Sequence, residues 1–155
     1  KAINLIKNKN IQLVIIGNGD RKKNLIDYIL KKKISSLVKI IPYKMNPFSY
    51  IKKADIFVLT SKFEGLPNVL LESLVLNKFI ISSNCRTGPK EILLGGKGGD
   101  LFKVGDYKVL ANLIIDYKKN KSIKIKKLNF ARKNLNRFDY KINLKKYLHL
   151  VNSII

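Results

Sequence analysis

Tryptophan is missing from this chain, cysteine and methionine occur once each, and only 10 of 155 residues are acidic. The lone Cys85 excludes an internal disulfide and a cysteine-based zinc site, and it fits a reducing, cytosolic setting. Cys85 follows an apolar strand with no histidine nearby in sequence to activate it, so it reads as a packing residue rather than a nucleophile. The single histidine, His149, falls in a terminal helical pattern, where a structural or surface role is expected. No apolar run reaches the roughly 18 residues of a membrane span. The opening Lys1-Ala2-Ile3-Asn4 lacks the long apolar segment of a signal peptide.

What the chain does have is apolar residues at 46% and a net charge of +22, from 32 basic and 10 acidic residues. The first is enough for one domain with a core and argues against disorder. The second raises three partner classes: nucleic acid, anionic lipid and an acidic substrate. Nearly all the cations are lysine, the arginines being Arg21, Arg86, Arg132 and Arg137, and isoleucine and asparagine are abundant. An A/T-rich genome yields that mixture without selection for binding. Nucleic-acid surfaces favour arginine with interleaved aromatics, so no specific nucleic acid is expected. Peripheral contact with an anionic membrane is expected, at about 1 kcal/mol per lysine near the surface. The Lys118 to Lys127 run reads as a solvated face that touches lipid at most.

Along the chain, short apolar runs alternate with helical periodicity. Strands are expected at Ile11–Ile16, Leu37–Ile41, Asp55–Leu59, Phe79–Ser83 and Leu101-Phe102. Helices are expected from Arg21 to Lys33, from Asn46-Pro47 through Lys53, from Pro67 to Leu76, from Gly88-Pro89 through Leu94, and from an N-cap at Asp106 through Lys118. Gly95 to Gly99 reads as a flexible turn, and two basic helices that meet near Phe138-Asp139 are expected over 121–155. The pattern implies a single α/β domain over 1–155, a parallel sheet with helices on both faces. Such sheets bind ligands at the carboxyl ends of their strands. The Gly17 turn, the Tyr43-to-Asn46 loop, the loop after Leu59 and the Asn84-to-Pro89 loop all follow strands, so they are expected to converge on one edge.

The most informative stretch is Glu64-Gly65-Leu66-Pro67-Asn68-Val69-Leu70-Leu71-Glu72. It sets two carboxylates around a helix start, with Pro67 suited to the first helical position. Between them lie free amides that attract anions. Carboxylates accept hydrogen bonds from hydroxyls, and a helix N-terminus holds phosphate. Together they suit a nucleotide-sugar. The plainer reading is two solvated dipole partners at a helix end; a glycosidase-style acid and base pair fits the helix placement poorly. Gly17-Asn18-Gly19 begins like a dinucleotide fingerprint, but Lys22 stands where the third glycine belongs, and a tight strand-to-helix turn is the simpler reading. No DxD-like pair of acids stands near a strand end, so no metal or cofactor is expected and a metal-independent reaction is favoured.

The stretches LVIIGNGD, NPFSYIKKADIFVLTS, FEGLPNVLLESL, FIISSNCRTGPKEIL and FKVGD, in that order, resemble the carboxy-terminal, donor-binding domain of the GT-B-fold retaining glycosyltransferases of family 4, the group 1 glycosyltransferases. The resemblance implies a Rossmann-like sheet. It also implies that Glu72 binds the ribose hydroxyls and that Glu64 contacts the transferred sugar as the catalytic carboxylate. Gly65, Leu66, Asn68 and Val69 would contact sugar and phosphate through their amides, Gly17 and Gly19 would lie near the diphosphate, and Tyr43 and Lys44 beside the base. It further implies a UDP-hexose or UDP-N-acetylhexosamine donor, a glycan or lipid-linked acceptor, and work at the cytosolic membrane face in cell-surface glycan synthesis.

The chain departs from the family pattern at Pro42, where glycine is usual, at Arg86, where proline is common, and at Asp100, where an apolar residue is usual. The resemblance also implies a strand ahead of the Lys1 helix, bearing an arginine and a lysine for the diphosphate, and an amino-terminal GT-B domain that binds the acceptor. Two alternatives stay open: a binding module that is catalytically incomplete without that separate half, and a basic nucleic-acid-binding protein.

Overall fold

In a computed structural model of the chain, which describes residues 1–6 and 10–154, the centre of the fold is the run Phe79-Ile80-Ile81-Ser82-Ser83. Ile80 and Ile81 are fully buried, and the two serines are satisfied internally: Ser83 Oγ donates to Ser61 O at 2.7 Å and Ser82 Oγ to Ser83 O at 3.1 Å. Five strands are present among the described residues: β1 (Leu13–Ile16), β2 (Val38–Ile41), β3 (Ile56–Leu59), β4 (Phe79–Ser83) and β5 (Asp100–Phe102). All five residues of β4 are buried, so both of its faces are covered. It pairs in parallel with β3 on one side, Ile56 opposite Phe79, and with β5 on the other, Ile81 opposite Asp100.

Parallel neighbours need crossovers, and the sequence supplies helices for them. Helices α1 (Ala2–Ile6) and α2 (Lys22–Lys31) belong to the first half, with α2 linking β1 to β2, and α3 (Phe48–Lys53) precedes β3. Helix α4 (Asn68–Val75) returns β3 to β4, and α5 (Pro89–Ile92) with a 3-10 turn at Leu94–Gly96 returns β4 to β5. Leu70 and Leu74, one turn apart on α4, are both 0% exposed. Each contributes about 1.5–3 kcal/mol by burial. Helix α6 (Tyr107–Lys119) opens at Asp106, whose Oδ1 accepts from Val109 N at 2.9 Å. It packs on β4 and on α1, as α4 and α7 (Lys121–Lys133) pack on β4. After a 3-10 turn at Leu135–Phe138, α8 (Tyr140–Asn152) is capped by Asp139 and buries none of its residues. The last residue of the expected basic segment, Ile155, lies outside the described residues.

The α/β class with parallel strands and surrounding helices is as expected, but the sheet is divided. β1 and β2 form one parallel pair, Leu13 opposite Val38 through Ile16 opposite Ile41, and no ladder among the described residues joins it to β3-β4-β5. β1 is also shorter than Ile11–Ile16 and is not a buried strand, with Val14 41% exposed. A short apolar run looks the same whether its strand has two neighbours or one, so sequence cannot place an edge.

Three further expectations are corrected. Helical geometry starts at Asn68, not Pro67: Pro67 is extended at ψ 92 and serves as the N-cap. Gly98 and Gly99 are not a flexible turn; a Cβ at Gly98 would stand 2.7 Å from Ala131 Cβ, and one at Gly99 2.8 Å from Ile80 O. The Lys118 to Lys127 run is not wholly solvated. Lys124 is 5% exposed, pairs with Asp100 Oδ2 at 2.6 Å and with Asp116, and lies over the Phe79 ring, while Lys127 takes Asp100 Oδ1 at 2.6 Å. The acid at position 100 therefore has a structural partner set: it anchors α7 to β5.

Candidate functional site

The segment after β3 turns away from the sheet and enters α4 through Glu64, Gly65 and Leu66. Pro67 gives α4 no side-chain cap, and its own carbonyl accepts from Leu70 N at 2.9 Å. The amides of Asn68 and Val69 are left without a protein acceptor among the described residues. Unsatisfied first-turn amides carry the positive end of the helix dipole. Glu72 lies in the second turn of α4, half-buried, and Glu64 is half-buried in the loop; neither carboxylate forms an ion pair among the described residues. Leu66 is exposed at 47%, and Phe63, which sequence reasoning passed over, at 85%.

The loop after β4 is bound to this bracket. Asn84 N donates to Phe102 O at 2.7 Å, which sets the loop's departure from the sheet. Thr87 Oγ1 donates to Glu64 O. Gly88 has φ +87, and a Cβ there would stand 2.3 Å from Gly65 O and 2.4 Å from Pro67 Cδ. Only glycine meets both demands, a left-handed backbone and direct backbone contact. Pro89 then takes the first position of α5. Sequence reasoning placed this loop at a strand end but missed Thr87 and Gly88 as the residues that bind it to the bracket. The Thr-Gly-Pro triplet between strand and helix was the available signal.

In the other sheet, Gly17 follows β1 at φ +148, and its amide donates to Ile41 O at the end of β2, 3.0 Å away. Gly19 O accepts from Lys22 N at 3.0 Å, and there is open space beside both glycines. Tyr43, 67% exposed, and Lys44, also exposed, follow β2. The structure thus gathers the expected residues into two groups. Gly17, Tyr43 and Lys44 stand at the carboxyl ends of β1 and β2. Glu64 to Val69 stand after β3, beside the Asn84-to-Pro89 loop. No hydrogen bond or ion pair among the described residues links the two groups.

Two concavities, of about 450 and 230 Å³, lie elsewhere. One is beside Asn112, Asp116 and Lys119 on α6; the other is between Asn77, Phe79, Tyr117 and Lys124 at the start of β4. No expected site residue lines either. At the first, hydrogen bonds from Lys124 and then Asn120 hold the Asp116 carboxyl below the usual carboxylate range. Burial pulls the Lys124 ammonium pKa down, but its bonds to Asp100 and Asp116 outweigh this and leave it raised. Among the described residues, no three His, Cys, Asp or Glu side chains gather as metal ligands, and no helix is long and apolar enough to cross a membrane.

The family model for Glycosyl transferases group 1 matches residues 1–137. The chain is similar to an uncharacterized glycosyltransferase of Methanocaldococcus jannaschii, 41% identical over 87 residues, which are 56% of this chain and 21% of the relative. It is similar to the N-acetylgalactosamine-N,N'-diacetylbacillosaminyl-diphospho-undecaprenol 4-alpha-N-acetylgalactosaminyltransferase of Campylobacter jejuni, 29% identical over 121 residues, which are 76% of this chain and 33% of the relative. The chain thus spans a fifth to a third of the length of these two relatives. Its fold is shared with TarM of Staphylococcus aureus (TM-score 0.87, 21% identity, 97% of this chain and 31% of that one). It is shared too with Anabaena HepE solved with UDP (TM-score 0.84, 16% identity, 99% of this chain and 44% of that one).

Proposed function

This chain belongs to the group 1 glycosyl transferases, and from that membership we propose that it is the donor-binding part of a retaining enzyme that takes a hexose or N-acetylhexosamine from a UDP-sugar. The observation that carries the reading is the bracket itself: two carboxylates, Glu64 and Glu72, without ion-pair partners among the described residues, on either side of the start of α4, which has no side-chain cap. UDP is the proposed nucleotide because the shared fold holds UDP in HepE. Glu72 grips the ribose hydroxyls and the amides of Asn68 and Val69 receive the diphosphate. The amides of Gly65 and Leu66 and the Glu64 carboxylate face the transferred sugar. Gly17 and Gly19 leave backbone open to the phosphates, and Tyr43 and Lys44 flank the base.

Transfer requires stabilising a departing diphosphate and a sugar with cationic character, which fixed dipoles and cations achieve in a water-poor cleft. The proposed acceptor is a glycan or a lipid-linked glycan at the cytosolic face of a membrane, supported by the undecaprenol-linked substrate in the Campylobacter relative's name. Since the chain spans only part of such relatives, donor binding is the property to test in it, and acceptor binding is assigned to an amino-terminal GT-B domain. UDP should raise the melting temperature of the chain, and Glu72→Ala should abolish that rise. No rise with any nucleoside diphosphate overturns the reading.

A further inference from the structure

We propose that Arg86 binds the diphosphate of the donor, a role that rests on the nucleotide-binding reading of the Glu64–Glu72 bracket. The bracket has a charge problem. From Phe63 to Asn77 the chain carries two carboxylates and no lysine or arginine. The diphosphate of a bound nucleotide-sugar adds about two more negative charges, against a helix terminus worth about half a positive charge. A cation has to come from another segment, and the loop after β4 brings one.

Arg86 is held in place by its neighbours. Cys85 is 3% exposed, with its Sγ directed at Thr87 O, 3.7 Å away. Thr87 bonds the Glu64 carbonyl, and Gly88 packs on Gly65 O and Pro67 Cδ. The Arg86 backbone is therefore one residue from the bracket, on a loop that cannot drift from it. Its side chain is exposed and pairs with no described carboxylate. A guanidinium offers two parallel donors to phosphate oxygens, a geometry lysine lacks. Lys62, also exposed, is the nearest cation in sequence to the bracket on its own segment, and it serves as the control for a diffuse positive field.

The test is calorimetric titration of the full chain with UDP and with uridine, which shares the base and ribose but has no phosphate. Arg86→Ala should weaken UDP by about three- to tenfold and leave uridine affinity and the ligand-free melting temperature unchanged. Arg86→Lys should fall between, and Lys62→Ala should change UDP affinity less than Arg86→Ala does. Equal losses for UDP and uridine, equal losses in Arg86→Ala and Lys62→Ala, or unchanged UDP affinity in Arg86→Ala each overturn the assignment. If Arg86→Ala is neutral while Glu72→Ala still abolishes binding, the nucleotide reading stands without Arg86. If the unaltered chain binds neither ligand, the nucleotide reading fails and Arg86 loses its role with it.

Discussion

Gly88 lies so close to Pro67 that a Cβ on the glycine would stand 2.4 Å from the proline's Cδ. This contact, with the Thr87 bond to Glu64, ties together two loops whose joined residues sit 21 and 23 positions apart in sequence. Gly88→Ala should therefore cost about 2–4 kcal/mol, from a left-handed backbone and from overpacking. Urea unfolding measures it directly; an unchanged midpoint would show that the two loops yield independently.

Glu64 and Glu72 should separate by ligand. Glu64→Ala should keep UDP affinity within about twofold and remove discrimination between UDP and a UDP-hexose, because its proposed partner is the sugar. Glu72→Gln should weaken UDP and uridine alike, by about tenfold for a lost charge-assisted bond. Titrations with all three ligands read both outcomes, and the reverse pattern would exchange the two roles.

Lys124→Met removes the buried partner of Asp100, and should cost about 2–4 kcal/mol because a desolvated carboxylate is left with Lys127 alone. Lys127, 32% exposed, should cost less than about 1 kcal/mol on change to alanine. Replacing the pair together, as Asp100→Leu with Lys124→Met, should recover most of the loss. Chemical denaturation of the three variants distinguishes a buried pair from two separate surface charges.

The same cluster sets a pH dependence. Asp116 is lowered from the usual 3.8 by its bonds to Lys124 and Asn120, so its contribution is complete above about pH 4 and is lost as pH falls through the lower, folded value. Lys124 is raised above 10.5, so its contribution is complete below that and is lost as pH climbs through the folded value. Asp116→Asn should be less stable than the unaltered chain at pH 6, and the gap should close below pH 4. A gap that persists at pH 2 would place the effect in packing rather than ionisation.

Helix α8 buries none of its residues, whereas α7 contributes Lys124, Leu128 and Ala131 to the interior. Ending the chain after Phe138 should cost no more than about 1 kcal/mol, and ending it after Asn120 should abolish cooperative unfolding. Circular dichroism with urea reads both.

Local chemistry fixed much of this protein before any fold existed. The apolar run of β4, the Asp106 cap, the proline at the start of α5 and the carboxylate spacing around α4 follow from side-chain polarity and allowed backbone angles within a few residues. Those interactions span one or two turns, so the sequence displays them. What required the folded chain was everything that depends on distant segments. Strand pairing separated β1-β2 from β3-β4-β5. Asp100 met Lys124 and Lys127, which turned two lysines of an apparently solvated run inward. Thr87 and Gly88 joined Glu64 and Pro67, which brings Arg86 within one residue of the bracket. Hydrogen bonds, ion pairs and close packing act only at contact, and which distant residues come into contact is settled by the packed core, not by their order along the chain.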